Sequence, residues 1–169
     1  MSEAASQIRI AQAGDEGLDR LGALWAKLRV HHAEIESPWR EEFLASQFEK
    51  RTSGLRAKAV GGAMQVLLAV PGGREPVGYC VSTVDAAGRG EIDSLFIEEQ
   101  FRGRGLGRKM VSNAMAWLDE KHAKPIAVSV LAGNDAALRL YERFGFQTRT
   151  ILLQHVPAGK PDHDTTHVR

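Results

Sequence analysis

The sequence predicts an α/β fold, a mixed sheet with helices on both faces. Three observations carry the prediction. From Glu91 to Met110, strand-type residues (Ile92, Leu95, Phe96, Ile97) lead through a basic glycine loop into apolar residues at helical spacing. After that helix, Pro125 opens another strand over 126–131, and a strand, helix, strand unit implies parallel neighbours. Upstream, strands over 64–70 and 77–84 flank Pro71-Gly72-Gly73-Arg74-Glu75-Pro76, the pattern of an antiparallel hairpin.

The remaining elements follow in order. Residues 7–12 alternate and read as a first strand. Gly14 and Asp15 break it, with Asp15 placed to cap the next helix. Leu18, Leu21, Leu24, Trp25 and Leu28 make that helix amphipathic as far as His31 or His32. Ser37-Pro38 opens a second helical stretch that Gly61-Gly62 ends, with Phe43, Leu44, Phe48 and Leu55 as its apolar positions. Ala87-Gly88-Arg89-Gly90 turns the chain into the strand at Glu91. The helix after the glycine loop runs over 106–122. Gly133-Asn134-Asp135 caps a short helix over 136–144, Gly145 ends it, and residues 146–156 read as a last strand or two.

Composition sets the frame. One domain over 1–156 is expected, long enough to bury a sizeable core, followed by a mobile polar tail over 157–169. A net charge of +1 gives no general pull towards nucleic acid or membrane. Cys80 is the single cysteine, which excludes a disulfide framework and a cysteine-based zinc site. It sits in a strand and reads as a small buried hydrophobe. No leader pattern and no apolar run of membrane-spanning length is seen, so the cytoplasm is expected. His163 and His167 in that tail are too sparsely supported to read as a metal site.

The glycine loop carries the first functional signal. Gly103, Gly105 and Gly107 alternate with Arg102, Arg104 and Arg108, ahead of Lys109. A helix N-terminus presents unpaired N–H groups and the positive end of its dipole, a seat for phosphate or pyrophosphate. The loop is neither a P-loop nor a dinucleotide fingerprint, whose sixth position falls on Arg108.

Gln100-Phe101-Arg102-Gly103-Arg104-Gly105 matches Q/R-x-x-G-x-G/A, and from Asn134 to Phe146 an Asn leads a helix with a Tyr and a closing Gly-Phe. Over roughly Glu91 to Phe146 the chain resembles the GNAT superfamily of N-acetyltransferases. The resemblance implies a GNAT-like fold and acetyl-CoA as cosubstrate, with no metal. It implies a pyrophosphate on the loop formed by Arg102, Gly103, Arg104, Gly105, Leu106, Gly107 and Arg108. It implies a pantetheine arm beside Leu95, Phe96 and Ile97, touched by Asn134, with an N–H near Ile97 holding the acetyl carbonyl. Arg102, Arg104, Arg108 and Lys109 are also within the loop that would meet a 3′-phosphate.

An amine acceptor of pKa ~10.4 arrives protonated, so a base must remove a proton. Glu91 is the first candidate and Asp93, on the same face by alternation, the second. Tyr141 matches the family's tyrosine that protonates the departing thiolate, against a plainer reading as a core aromatic. Asn134 also reads as a helix cap. His31 and His32 read as helix C-terminal residues that favour the dipole, or as part of an acceptor pocket. Trp39 and Phe43 read as pocket wall or core, and Tyr79 as sheet packing. The function expected is acetyl transfer to a primary amine in a direct ternary complex, on a small molecule or a protein, with a homodimer open. The alternative is a non-catalytic acyl-CoA-binding sensor on the same fold, and a nucleotide-binding protein is the third reading.

Overall fold

The computed structural model describes residues 8–35 and 38–155. Five strands form one sheet in the order β1-β2-β3-β4-β5: β1 (Ile8–Ala13), β2 (Ala63–Pro71), β3 (Gly78–Val84), β4 (Gly90–Ile97) and β5 (Ile126–Val128). The first four are antiparallel neighbours, and β5 lies parallel to β4. Among the described residues five α-helices join them: α1 (Gly22–Glu34), α2 (Arg40–Ala45), α3 (Phe48–Lys58), α4 (Leu106–Glu120) and α5 (Asp135–Glu142).

Alternation along the strands builds a core on each face. Val66, Leu68, Val70, Tyr79, Val81 and Phe96 face Leu18, Leu21, Leu24, Leu28 and Leu55 from the α1 and α3 side. Leu67, Ala69, Cys80 and Ile92 face Met110, Val111, Ala114 and Leu118 of α4, and Tyr141 of α5. Helices therefore cover both faces, and the hairpin and the parallel unit stand as the sequence predicts.

Four details differ from the sequence reading. Asp15 does not cap a helix. It begins a 3-10 turn (Asp15–Arg20) ahead of α1, and the Glu16 carboxylate instead accepts from the Gly14 N–H at 3.0 Å. The second helical stretch is two helices, extended at Ser46 and Gln47. Arg29 of α1 donates to the carbonyls of Leu44 and Ser46, both at 2.9 Å, and so satisfies the end of α2. Strand β5 stops at Val128, three residues short of the expected end. No strand forms over 146–155; Val156 and the tail over 157–169 lie outside the described residues, as does Ser37.

Candidate active site

The site is organised by a bulge in β4. Val81 pairs with Ser94 and Ser82 with Ile92, so Asp93 is the extra residue. The bulge turns two successive side chains to one face. Asp93 meets Lys58 of α3, and the Ser94 hydroxyl bonds the Tyr79 phenol at 2.9 Å. Glu91, Asp93, Ser94 and Phe96 thus stand on the α1 and α3 face, while Ile92, Leu95 and Ile97 pack on the α4 face.

Beyond the bulge β4 loses its parallel neighbour. The pairing with β5 covers only Gly90 to Ile92, and the sheet opens there. The chain after β5 veers towards α1, and a Cβ on Gly133 would lie 3.0 Å from Cγ2 of Ile35, at the end of that helix. The Glu98 N–H donates to the Val77 carbonyl at 2.9 Å. By alternation the peptide groups of Leu95 and Ile97 point the other way, into the opening. Arg102 holds one of them, since its Nε donates to the Ile97 carbonyl at 2.8 Å while its guanidinium lies over the Phe96 ring.

The opening runs directly into the glycine loop. Gly103 and Gly105 have φ of +74° and +75°, and no atom lies within 4 Å of a Cβ built on either. Those conformations suit glycine, and the bare space leaves the backbone approachable. Gly105 caps α4 with no side-chain bond, and no acidic residue sits in the first turn. The N–H groups of Leu106, Gly107 and Arg108 therefore have no intrahelical partner. Leu106 is buried in the core, and Gly107 fits its turn between Ile97 and Leu140. Arg108 and Lys109 are exposed, and Arg104 lies over the Phe101 ring. An unpaired strand edge leading into a bare helix N-terminus fits a ligand with an amide-bearing arm and a pyrophosphate, as in acetyl-CoA.

The profile of the acetyltransferase (GNAT) family matches residues 25–146. The chain belongs to that family. Among curated relatives, the spermine/spermidine N(1)-acetyltransferase of Bacillus subtilis strain 168 is 44% identical over 61 residues, 36% of this chain and 40% of that one. The match thus spans well under half of that relative's length. Among solved structures, the BH1408 protein of Bacillus halodurans superposes with a TM-score of 0.66 at 18% identity, covering 88% of this chain and 99% of that one. An aminoglycoside N-acetyltransferase solved with CoA gives a TM-score of 0.59 at 16% identity, covering 94% and 100%. These superpositions establish the GNAT fold.

The remaining predicted residues divide between the faces. Glu91 is at the start of β4, its carboxylate 2.5 Å from the Lys58 ammonium. Asp93 takes the same ammonium at 2.6 Å and the Thr83 hydroxyl at 2.6 Å, with its side chain 4% exposed. Burial pulls the Lys58 pKa down, but the bonds to Asp93 and Glu91 outweigh it and hold it above the ordinary 10.5. Tyr141 lies on the opposite face, 5% exposed, its ring edge-on to Phe146 at 5.6 Å. No described residue hydrogen-bonds its phenol, and burial pushes the pKa above the usual 10. Glu91 and Tyr141 therefore lie on opposite faces of the sheet. Asn134 caps α5, its Oδ1 accepting from the Ala137 N–H at 3.2 Å.

A groove of 740 Å³ lies on the α1 side of the β4 end, lined by Lys27, Val30, His31 and Glu34 of α1 and by Phe96, Glu98, Glu99 and Arg102. Lys27 pairs with Glu98, and burial lowers the His31 pKa below 6.5, helped by Arg102 nearby. His32, its pKa also lowered by burial and by His31, turns to Phe43 instead. Sequence reading missed Lys58, Thr83 and the groove. Lys27, Val30, His31 and Glu34 recur at helical spacing, so a face-by-face reading of α1 would have grouped them. Among the described residues no helix is long and apolar enough to cross a membrane.

Proposed function

We propose that this GNAT-family chain is an N-acetyltransferase that moves an acetyl group from acetyl-CoA to a primary amine, with both bound at once. One observation carries the reading: the unpaired peptide edge at Leu95 and Ile97 leads without interruption into the bare N-terminus of α4. Acetyl-CoA supplies the activated thioester. The chain's own groups do the rest. Gly103 to Arg108 hold the pyrophosphate, and Asn134 borders the pantetheine arm. The Ile97 N–H donates to the acetyl oxygen as charge develops there. Tyr141, kept protonated by burial, donates its phenolic proton to the sulfur that leaves.

Glu91 accepts the ammonium proton, directly or through a water ordered with Asp93. Removing a proton of pKa ~10.4 at pH 7 costs about 5 kcal/mol, so a placed base matters. Holding both reactants together makes the step unimolecular, which lowers the barrier further.

The groove favours a cationic acceptor. Its carboxylates Glu34, Glu98 and Glu99 outnumber Lys27 and Arg102, and those two cations are engaged with Glu98 and the Ile97 carbonyl. Ala26, Val30 and Phe96 supply apolar wall between them. The polyamine acceptors named for the Bacillus subtilis relative agree with that chemistry. An acceptor panel of polyamines, lysine peptides and aminoglycosides, followed by CoA release, is expected to rank polyamines first. Thermal shift should show stabilisation by acetyl-CoA. Stabilisation by ATP or NAD but not by acetyl-CoA overturns the reading. Binding of acetyl-CoA with no CoA release from any amine replaces it with a non-catalytic sensor.

A further inference from the structure

Two carboxylates on one strand face share a single cation. Glu91 and Asp93 stand on the α1 and α3 face of β4, and α3 delivers Lys58 to both. Lys58 is the last residue of α3, where the carbonyl end of a helix favours a cation. Its ammonium lies 2.5 Å from Glu91 Oε2 and 2.6 Å from Asp93 Oδ1. The two acids are not equivalent. Asp93 is the bulged residue, and its side chain is 4% exposed. Each of its acceptor atoms is engaged: Lys58 holds Oδ1, the Thr83 hydroxyl donates to Oδ2 at 2.6 Å, and Arg51 donates to the main-chain oxygen at 2.7 Å. Glu91 is bound through Oε2, no described residue bonds its Oε1, and its side chain is 31% exposed.

We propose, on the reading of Glu91 as the base, that Lys58 is its positioning residue: anchored by Asp93, it holds one oxygen of the Glu91 carboxylate so that the other meets the acceptor's ammonium. Asp93 is then the anchor and Glu91 the proton acceptor. A glutamate left alone on a strand samples several rotamers. A carboxylate tied at one oxygen keeps the other in place, as proton transfer over hydrogen-bond distance requires. The charge balance serves the same step. Two carboxylates and one ammonium leave the cluster with one net negative charge, which attracts an incoming ammonium and is neutralised when Glu91 takes its proton. Without Lys58 the two acids would stand together uncompensated, and such a pair keeps a proton to higher pH. Lys58 is no base itself, because its bonds to both acids keep it protonated. Few other charges face the cluster. Arg51 binds the Asp93 main chain, and the strand neighbours of Glu91 are Thr83 on β3 and Ala127 on β5, which carry no charge.

Steady-state kinetics across pH, with the amine and acetyl-CoA varied in turn, test the proposal. Lys58→Met keeps the length of the side chain and removes its charge. It is expected to lower kcat/KM for the amine about tenfold at neutral pH and to move the acid limb of that profile up by about one pH unit. The acetyl-CoA KM is expected to stay within about twofold, since no cofactor contact is lost. Lys58→Met also leaves the buried Asp93 without its cation, so Lys58→Met/Asp93→Asn removes both charges and is expected to stay folded by circular dichroism. There the loss in kcat/KM should persist with the acid limb near its wild-type place, because Glu91 is unheld but no longer beside a second carboxylate. A folded double variant with wild-type kcat/KM overturns the proposal. Unfolding of both variants does so too, since Lys58 is then a structural residue only. If Glu91→Gln leaves rate and profile unchanged, or if no amine releases CoA, the underlying reading falls and this inference with it. If Glu91→Gln lowers the rate and the Lys58 variants do not, this inference alone falls.

Discussion

Glu91 and Tyr141, the proposed base and acid, sit in different surroundings. Tyr141 is buried with no described partner for its phenol, and burial keeps that phenol neutral, as the proposed proton donor must be. Glu91 is partly exposed and shares Lys58 with Asp93, which fixes its carboxylate. Tyr141→Phe is expected to lower kcat by about 10²-fold, the lower range for a placed acid, with little change in the acetyl-CoA KM or the melting temperature. Glu91→Gln is expected to lower kcat/KM most at low pH, where loss of the ammonium proton limits. Steady-state kinetics across pH check both, and a profile unaltered by Glu91→Gln removes that residue as the base.

At the scale of the element, α4 and the end of β4 act as one unit, and glycine is what joins them. Gly105 sits at φ +75° with open space where a Cβ would stand, so the backbone is approachable there. Gly105→Ala should cost only about 1 kcal/mol of stability from the left-handed conformation. It should nevertheless raise the acetyl-CoA KM about tenfold or more, because the methyl group holds an anion off the N–H groups. The amine KM should not change. Urea unfolding and kinetics with each substrate varied separate the two effects, and a tenfold rise in both KM values counts against a local role. Much of this unit was legible in the sequence, because glycine spacing and a strand, loop, helix order are local signals. Three things were not. The bulge at Asp93 depends on the register with β3, which no local pattern specifies. The break between α2 and α3 depends on Arg29 reaching Leu44 and Ser46 from another helix. Residues 146–155 carry strand-forming side chains and no strand partner within the described chain, so propensity alone gave a strand where none forms.

For the whole molecule, the buried titratable groups set a direction for stability against pH. Burial pushes the Cys80 thiol up to about 12 from 9.0 and the Tyr79 phenol up to about 12 from 10.0. The Tyr141 phenol moves the same way. Each group stays protonated in the folded chain after its unfolded counterpart has ionised. The unfolded state then binds fewer protons, so stability is full below the unfolded pKa and falls as pH rises towards the folded one. Each group contributes on the order of 1 kcal/mol of loss per pH unit. Lys58 adds in the same direction above 10.5, but it is partly exposed and screened, so its share is small. Cys80 acts first, between pH 9 and 10, and the tyrosines join it above pH 10. A domain of ordinary stability, about 5–15 kcal/mol, should therefore approach unfolding near pH 11 to 12. On the acid side, His31 and His32 have lowered pKa values, so their contribution is present above 6.5 and is lost as pH falls below it. Urea midpoints by circular dichroism at pH 7, 9, 10 and 11 are expected to hold to pH 9 and then drop. Cys80→Ala should flatten the first part of that drop and leave the part above pH 10 in place. A midpoint constant from pH 8 to 11 contradicts the burial of all three groups, and with it the two-faced core on which the opening between β4 and β5 depends.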